Sequence, residues 1–119
     1  MDIDEKITSF ILSQPVTHQH RKVGMEEECI IYTEDLNRLL VNPAEQYSAT
    51  DLMNEMNQLT DKNGIYSLEP GGQLEWSSLP YENLSDLSLA QLNHRRLLND
   101  VTDHHNLIVL NWGLEPRFS

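Results

Sequence analysis

Ser67-Leu-Glu-Pro-Gly-Gly-Gln-Leu-Glu-Trp-Ser-Ser78 sets Glu69, Gln73 and Glu75 against Leu68, Leu74 and Trp76 in alternation. Successive side chains of a strand point to opposite faces, so this pattern aims two carboxylates and an amide at one surface and leaves the reverse free to pack. A carboxylate-rich sheet face is suited to holding a cation. The Pro70-Gly71-Gly72 break decides whether Glu69 shares that face. A two-residue hairpin loop would send it to the face opposite Gln73 and Glu75, whereas a three-residue loop, or a continuous strand with a bulge, restores the shared face. Pro followed by two glycines is compatible with either, because Gly supplies the positive backbone angle such geometries use.

Val23-Gly-Met-Glu-Glu-Glu-Cys-Ile-Ile-Tyr32 has the same character. In a regular strand Glu26 and Glu28 share one face, and Met25, Glu27, Cys29 and Ile31 share the other. Read alone, Glu26 to Glu28 would be a solvated edge-strand run. Beside the first segment, the two strands offer four like charges, whose close approach is unfavourable unless a cation neutralises them or one carboxylate takes up a proton.

Lys22-Val-Gly-Met-Glu-Glu-Glu-Cys29 followed by Ile65-Tyr-Ser-Leu-Glu-Pro-Gly-Gly-Gln-Leu-Glu-Trp-Ser77 resembles the N-terminal part of glutamate-cysteine ligases of the plant and proteobacterial type. The likeness continues through Pro80-Tyr-Glu-Asn-Leu84 to Trp112-Gly-Leu-Glu-Pro-Arg-Phe118. The Glu-Pro-Gly-Gly-Gln-x-Glu string is specific; Gly-x-Glu-x-Glu alone is shared with broader carboxylate-amine ligases. Glu27 and Trp76 stand where relatives often carry other side chains, which removes no ligand. Family members run to several hundred residues, so the chain is read as the N-terminal part, over residues 1–119, of a single truncated ligase domain.

The resemblance implies an α+β fold, a partial glutamine-synthetase-like catalytic domain in which helices pack on one face of an antiparallel sheet and the other face carries the chemistry. It implies ATP-dependent phosphorylation of the glutamate γ-carboxylate and attack by the cysteine amine to give γ-glutamylcysteine, the first step of glutathione synthesis. Glu26, Glu28, Glu69 and Glu75 would hold Mg2+ against the ATP phosphates, with Gln73 orienting a substrate or a ligating carboxylate. No catalytic residue is assigned, and these 119 residues alone are expected to be inactive. Two other readings compete: a related ligase using another amine, and a non-catalytic domain binding a cation or a partner through its acidic face.

The chain has 19 Asp and Glu against eight Lys and Arg, for a net charge of −11. Nucleic acid and anionic membrane surfaces are therefore disfavoured as partners, and an acidic surface attracts cations instead; small-molecule partners, glutamate, cysteine and ATP, are what the resemblance implies. The lone Cys29 cannot form an internal disulfide and reads as a core thiol; Met-Asp-Ile-Asp-Glu-Lys6 lacks the features of a signal peptide, so the expected compartment is the cytoplasm.

The remaining layout reads as a helix near Ile3 to Leu12, a strand from about Arg21 to Tyr32, and a connector to Tyr47 with a possible helical turn over Asp35 to Leu40. Ser48 or Thr50 caps a helix to Leu59 with Leu52, Met53, Met56 and Leu59 as its apolar stripe. Asn83 or Ser85 starts a long helix to about His104, with Leu84, Leu87, Leu97, Leu98 and Val101 inward, before a strand over Leu107 to Trp112. Asp100 and His104 have ligand spacing, but Asp103-His104-His105 reads more simply as polar helix termination, and Arg95 and Arg96 as surface partners of acidic residues.

Overall fold

The structure, a computed structural model, describes residues 3, 21–42, 46–60 and 63–110. Its elements are β1 (Glu26–Tyr32), α1 (Ala49–Leu59), β2 (Gly64–Leu68), β3 (Leu74–Ser78), α2 (Leu84–His104) and β4 (Ile108–Leu110). The four strands form one sheet in the order β2-β3-β1-β4, with every pairing antiparallel. The expected N-terminal helix falls almost wholly outside the described residues, as do positions 111 and 112 of the expected last strand.

Both helices start where side-chain oxygens can cap orphan amides. Ser48 accepts from the Asp51 N–H while the Asp51 carboxylate accepts from the Ser48 N–H, a reciprocal capping box. Asn83 accepts from the Asp86 N–H at 2.8 Å. The long helix closes on Asn106, whose φ of 56° lets Leu107 N–H reach the Thr102 carbonyl at 2.8 Å and Asn106 N–H reach Asp103. That is a Schellman ending, with Asn as the residue that tolerates the left-handed conformation.

Three expectations are corrected. β1 begins at Glu26, not Arg21: Val23 makes only an isolated bridge to Tyr81, with an extra residue in the 78–81 segment, where Pro80 has no N–H to continue the ladder. No helical turn forms over Asp35 to Leu40. The chain instead reverses through Thr33–Asn37, with Leu36 at φ 62°, and returns so that Leu39 N–H bonds the Ile31 carbonyl. Finally, Leu59 and Leu84 are exposed, because each lies at a helix end beyond the sheet's reach.

The core lies between the helices and one sheet face. Cys29 and Ile31 of β1, Tyr66 of β2, and Leu74 and Trp76 of β3 meet Leu52 and Met56 of α1 and Ala90, Leu98 and Val101 of α2. Burial pushes the Cys29 thiol up to about 12, consistent with an inert core thiol. Among the described residues β2 is an edge strand, and its edge is blunted by Asn57, whose side-chain amide pairs with both the N–H and the carbonyl of Tyr66 at 2.8 and 2.9 Å. At the far end of the helices, His105 stacks on Tyr47 at 3.8 Å and contacts the Glu55 carboxylate at 2.9 Å. The Tyr47 hydroxyl donates to Glu55, and that bond, followed by His105, holds the Glu55 carboxyl below its usual range. His105 is thus a tie between the helices rather than a merely solvated terminus.

Two outcomes test this packing. A Cβ added at Gly64 would sit 2.4 Å from the Ser77 carbonyl oxygen and 2.6 Å from Trp76 Nε1, so Gly64→Ala is expected to cost about 1–3 kcal/mol in urea denaturation. His94 lies buried against Trp76, and burial, aided by Arg95 and opposed by Glu27, pushes its imidazole down to about 4. An unfolded His titrates near 6.5, so the unfolded chain gains the proton first as pH falls. This contribution to stability is complete above about pH 6.5 and is lost toward pH 4, by about 2–3 kcal/mol. Urea midpoints across that window should fall more steeply in the parent than in His94→Asn.

Candidate metal centre

The turn between β2 and β3 places Glu69. Gly72 N–H bonds the Glu69 carbonyl at 2.8 Å and Glu69 N–H bonds the Gln73 carbonyl at 2.9 Å, with Gly72 at φ +86°. This is the three-residue loop, in which Pro70 supplies the helical φ of the turn and Gly72 the left-handed one. Glu69 therefore stands opposite Gln73, and strand parity puts it on the face of Glu75. Arg38 secures the loop from outside by donating from Nη2 to the Gly71 carbonyl.

The ladder between β1 and β3 brings in the second pair of glutamates. Glu28 is directly opposite Glu75, and Glu75 is opposite Ser67, so Ser67, Glu75 and Glu28 form one row across three strands. Glu26 stands two residues along, opposite Ser77. Carboxylate oxygens of Glu28, Glu69 and Glu75 all lie within 4.8 Å of one another, forming a three-carboxylate cluster on the sheet face away from Trp76. Ser77 Oγ donates to Glu75 Oε1 at 3.2 Å.

The charges in this cluster are only partly relieved. The Glu69 carboxyl is pushed above its ordinary range, first by hydrogen bonding with Glu75 and then by the negative charge of Glu75, Glu28 and Glu26. Glu26 thus contributes charge to the site but not an oxygen to the cluster. Gln73 shares the face, but its amide folds over the turn: a Cβ at Gly71 would meet Gln73 Oε1 at 2.6 Å. Past Glu28 the acidic character ends, since Ile30 and Tyr32, which have the same parity, are both buried.

Beneath the cluster lies a polar array that the sequence reading missed. Glu27, Trp76 and Tyr66 are cross-strand neighbours on the helix side. The His94 ring stacks on Trp76 at 4.5 Å with an interplanar angle of 1°, and its Nδ1 is 2.7 Å from the Tyr66 hydroxyl. With Tyr66 donating to Nδ1, the neutral ring carries its proton on Nε2, 3.6 Å from Glu27 Oε2. Arg95 donates to Glu27 Oε1 from Nε at 2.9 Å and from Nη2 at 2.6 Å, the acidic partner expected of it. The available signal was spacing: Leu87, Ala90, His94, Leu98 and Val101 form one helical stripe, and all five are buried.

Two other places carry less. A groove of about 530 Å³ is bordered by Thr33, Asn37, Tyr47, His105 and Asn106, and none of the clustered carboxylates lines it. Asp100 and His104 belong to no group of three potential ligands among the described residues, and no helix there is long and apolar enough to cross a membrane.

Residues 22–119 match the glutamate-cysteine ligase family 2 (GCS2). Among curated proteins, the chain is similar to the chloroplastic glutamate–cysteine ligases A and B of Oryza sativa subsp. japonica and to ligase A of subsp. indica, at 28% identity over 105 residues in each case. The alignments cover 85% of this chain and 21% of each relative, so the chain spans about one fifth of their length. With the match running from Lys22 through both glutamate strands and the long helix, the chain belongs to the glutamate-cysteine ligase family 2.

Proposed function

We propose that this chain supplies part of the magnesium site of an ATP-dependent glutamate–cysteine ligase, and that Glu28, Glu69 and Glu75 are its ligands. The observation that supports this reading is the convergence of three carboxylates, from β1, β3 and the turn between β2 and β3, on one point of the outer face. The donor set fits the ion. All donors are hard oxygens, as Mg2+ prefers, and at about 2.1 Å from the metal two oxygens lie at most about 4.2 Å apart. Oxygens already within 4.8 Å need only small side-chain movements to meet that limit. The upward push on the Glu69 carboxyl by Glu75 marks the place where a cation would relieve the repulsion.

A bound magnesium ion would neutralise charge on the phosphates of ATP as the γ-carboxylate of glutamate is phosphorylated. The chain's own contribution is positional. β1 and β3 hold Glu28 against Glu75, the Pro70–Gly72 turn holds Glu69 over both, and Glu26 adds negative potential from outside the ligand cluster. Gln73, packed over the turn, would orient a ligating carboxylate or a substrate from the rim. The cysteine amine would then attack the acyl phosphate, with glutamate, cysteine and ATP as the small-molecule partners. We place this chemistry in a cytoplasmic setting; the rice relatives are named chloroplastic.

Magnesium titration tests the ligand assignment. In metal-free buffer Glu69→Gln should raise the thermal midpoint by removing one of three crowded carboxylates, and it should abolish the midpoint rise that Mg2+ produces in the parent. An unchanged magnesium response in that variant would remove Glu69 from the site. In a full-length ligase carrying this segment, Glu75→Gln keeps the shape and removes the charge. Formation of γ-glutamylcysteine at limiting magnesium should fall on the order of a hundredfold, with expression unchanged. Near-normal turnover would count against the assignment.

A further inference from the structure

We propose that Glu27, held on the helix side by Arg95 and His94, is a positioning residue that keeps Glu28 turned toward Glu75. This inference rests on the metal-site reading above. It starts from a weakness in β1: Glu26-Glu27-Glu28 carries no pattern of its own, since rotating the strand would offer another glutamate to the same face. The residues that follow do not resolve this, because Cys29 and Ile31 are buried on one face and Ile30 and Tyr32 on the other. Something else must distinguish the middle glutamate from its neighbours.

The distinguishing feature is on α2. The Glu27 side chain is only 12% exposed, and Arg95 supplies two hydrogen bonds to its Oε1. Its Oε2 is buried without a hydrogen-bond partner among the described residues, 3.6 Å from His94 Nε2. His94 cannot drift, being stacked on Trp76 and bonded to Tyr66. Glu27, Trp76 and Tyr66 are the chain neighbours of Glu28, Glu75 and Ser67, so α2 grips the underside of the row whose upper side carries the carboxylates. A buried carboxylate stripped of its cation is strongly unfavourable, whereas an apolar pair in its place is not. Without Arg95, β1 would twist to bring Glu27 to water, and alternation would carry Glu28 off the cluster.

Terbium(III) luminescence on the 119-residue chain, with far-UV circular dichroism alongside, tests this. Arg95→Met should keep the helical signal, weaken Tb3+ binding about tenfold, and shorten the luminescence lifetime through an added bound water. Glu28→Gln should give the same shortened lifetime. The double variant Arg95→Met with Glu27→Leu should recover the parent's affinity and lifetime, because no buried charge remains to turn the strand. Parent-like binding by Arg95→Met, loss of its helical signal, or failure of the double variant to recover would each overturn the positioning role. Tb3+ binding indifferent to both Glu69→Gln and Glu75→Gln would instead overturn the metal site itself.

Discussion

Three carboxylates held within 4.8 Å of one another repel, and on their own face the Ser77 hydroxyl donated to Glu75 offsets only part of that repulsion. The arrangement therefore depends on the opposite face. Trp76 follows Glu75 in the chain and is completely buried, packed against His94 and the α2 stripe. Burying a side chain of that size contributes on the order of 2–3 kcal/mol, and the same alternation that turns Trp76 inward turns Glu75 outward. The apolar core thus fixes the direction of Glu75, and the cost of crowding the acidic side chains is borne by β2 and β3, which cannot rotate without exposing Trp76, Tyr66 or Leu74.

This coupling explains which parts of the molecule were legible in the sequence. The outward pair Gln73 and Glu75 and the inward pair Leu74 and Trp76 follow from parity alone, whereas the face of Glu69 depends on the turn. Sequence reasoning narrows the caps to Ser48 or Thr50 and to Asn83 or Ser85, and the structure uses Ser48 and Asn83, each with its side-chain oxygen three residues before an amide that needs one. The Pro70–Gly72 turn was open among alternatives, because two glycines permit more than one loop; pairing with Gln73 decided it. The reversal through Leu36 was invisible for the opposite reason, since Leu rarely adopts positive φ and tertiary pairing of Leu39 with Ile31 imposed it. His94 was overlooked although its spacing placed it among apolar residues. A lone His there signals a partner that only the fold can supply, here Trp76 and Tyr66 from two other strands.

Charge balance sets the extent of what this segment can do. A single divalent cation bound by three ionised carboxylates leaves one net negative charge at the centre, and Glu26 adds another from its place opposite Ser77. A nucleotide triphosphate approaching that surface brings several more. Within a chain of net charge −11, Arg95 is engaged with Glu27 on the far side of the sheet, and Arg38 is bonded to the turn carbonyl of Gly71. The outer face can therefore hold a cation but is electrostatically hostile to bare phosphate. In the proposed ligase the ion would enter with the nucleotide or before it, and basic groups for the triphosphate would have to reach it from outside this carboxylate face.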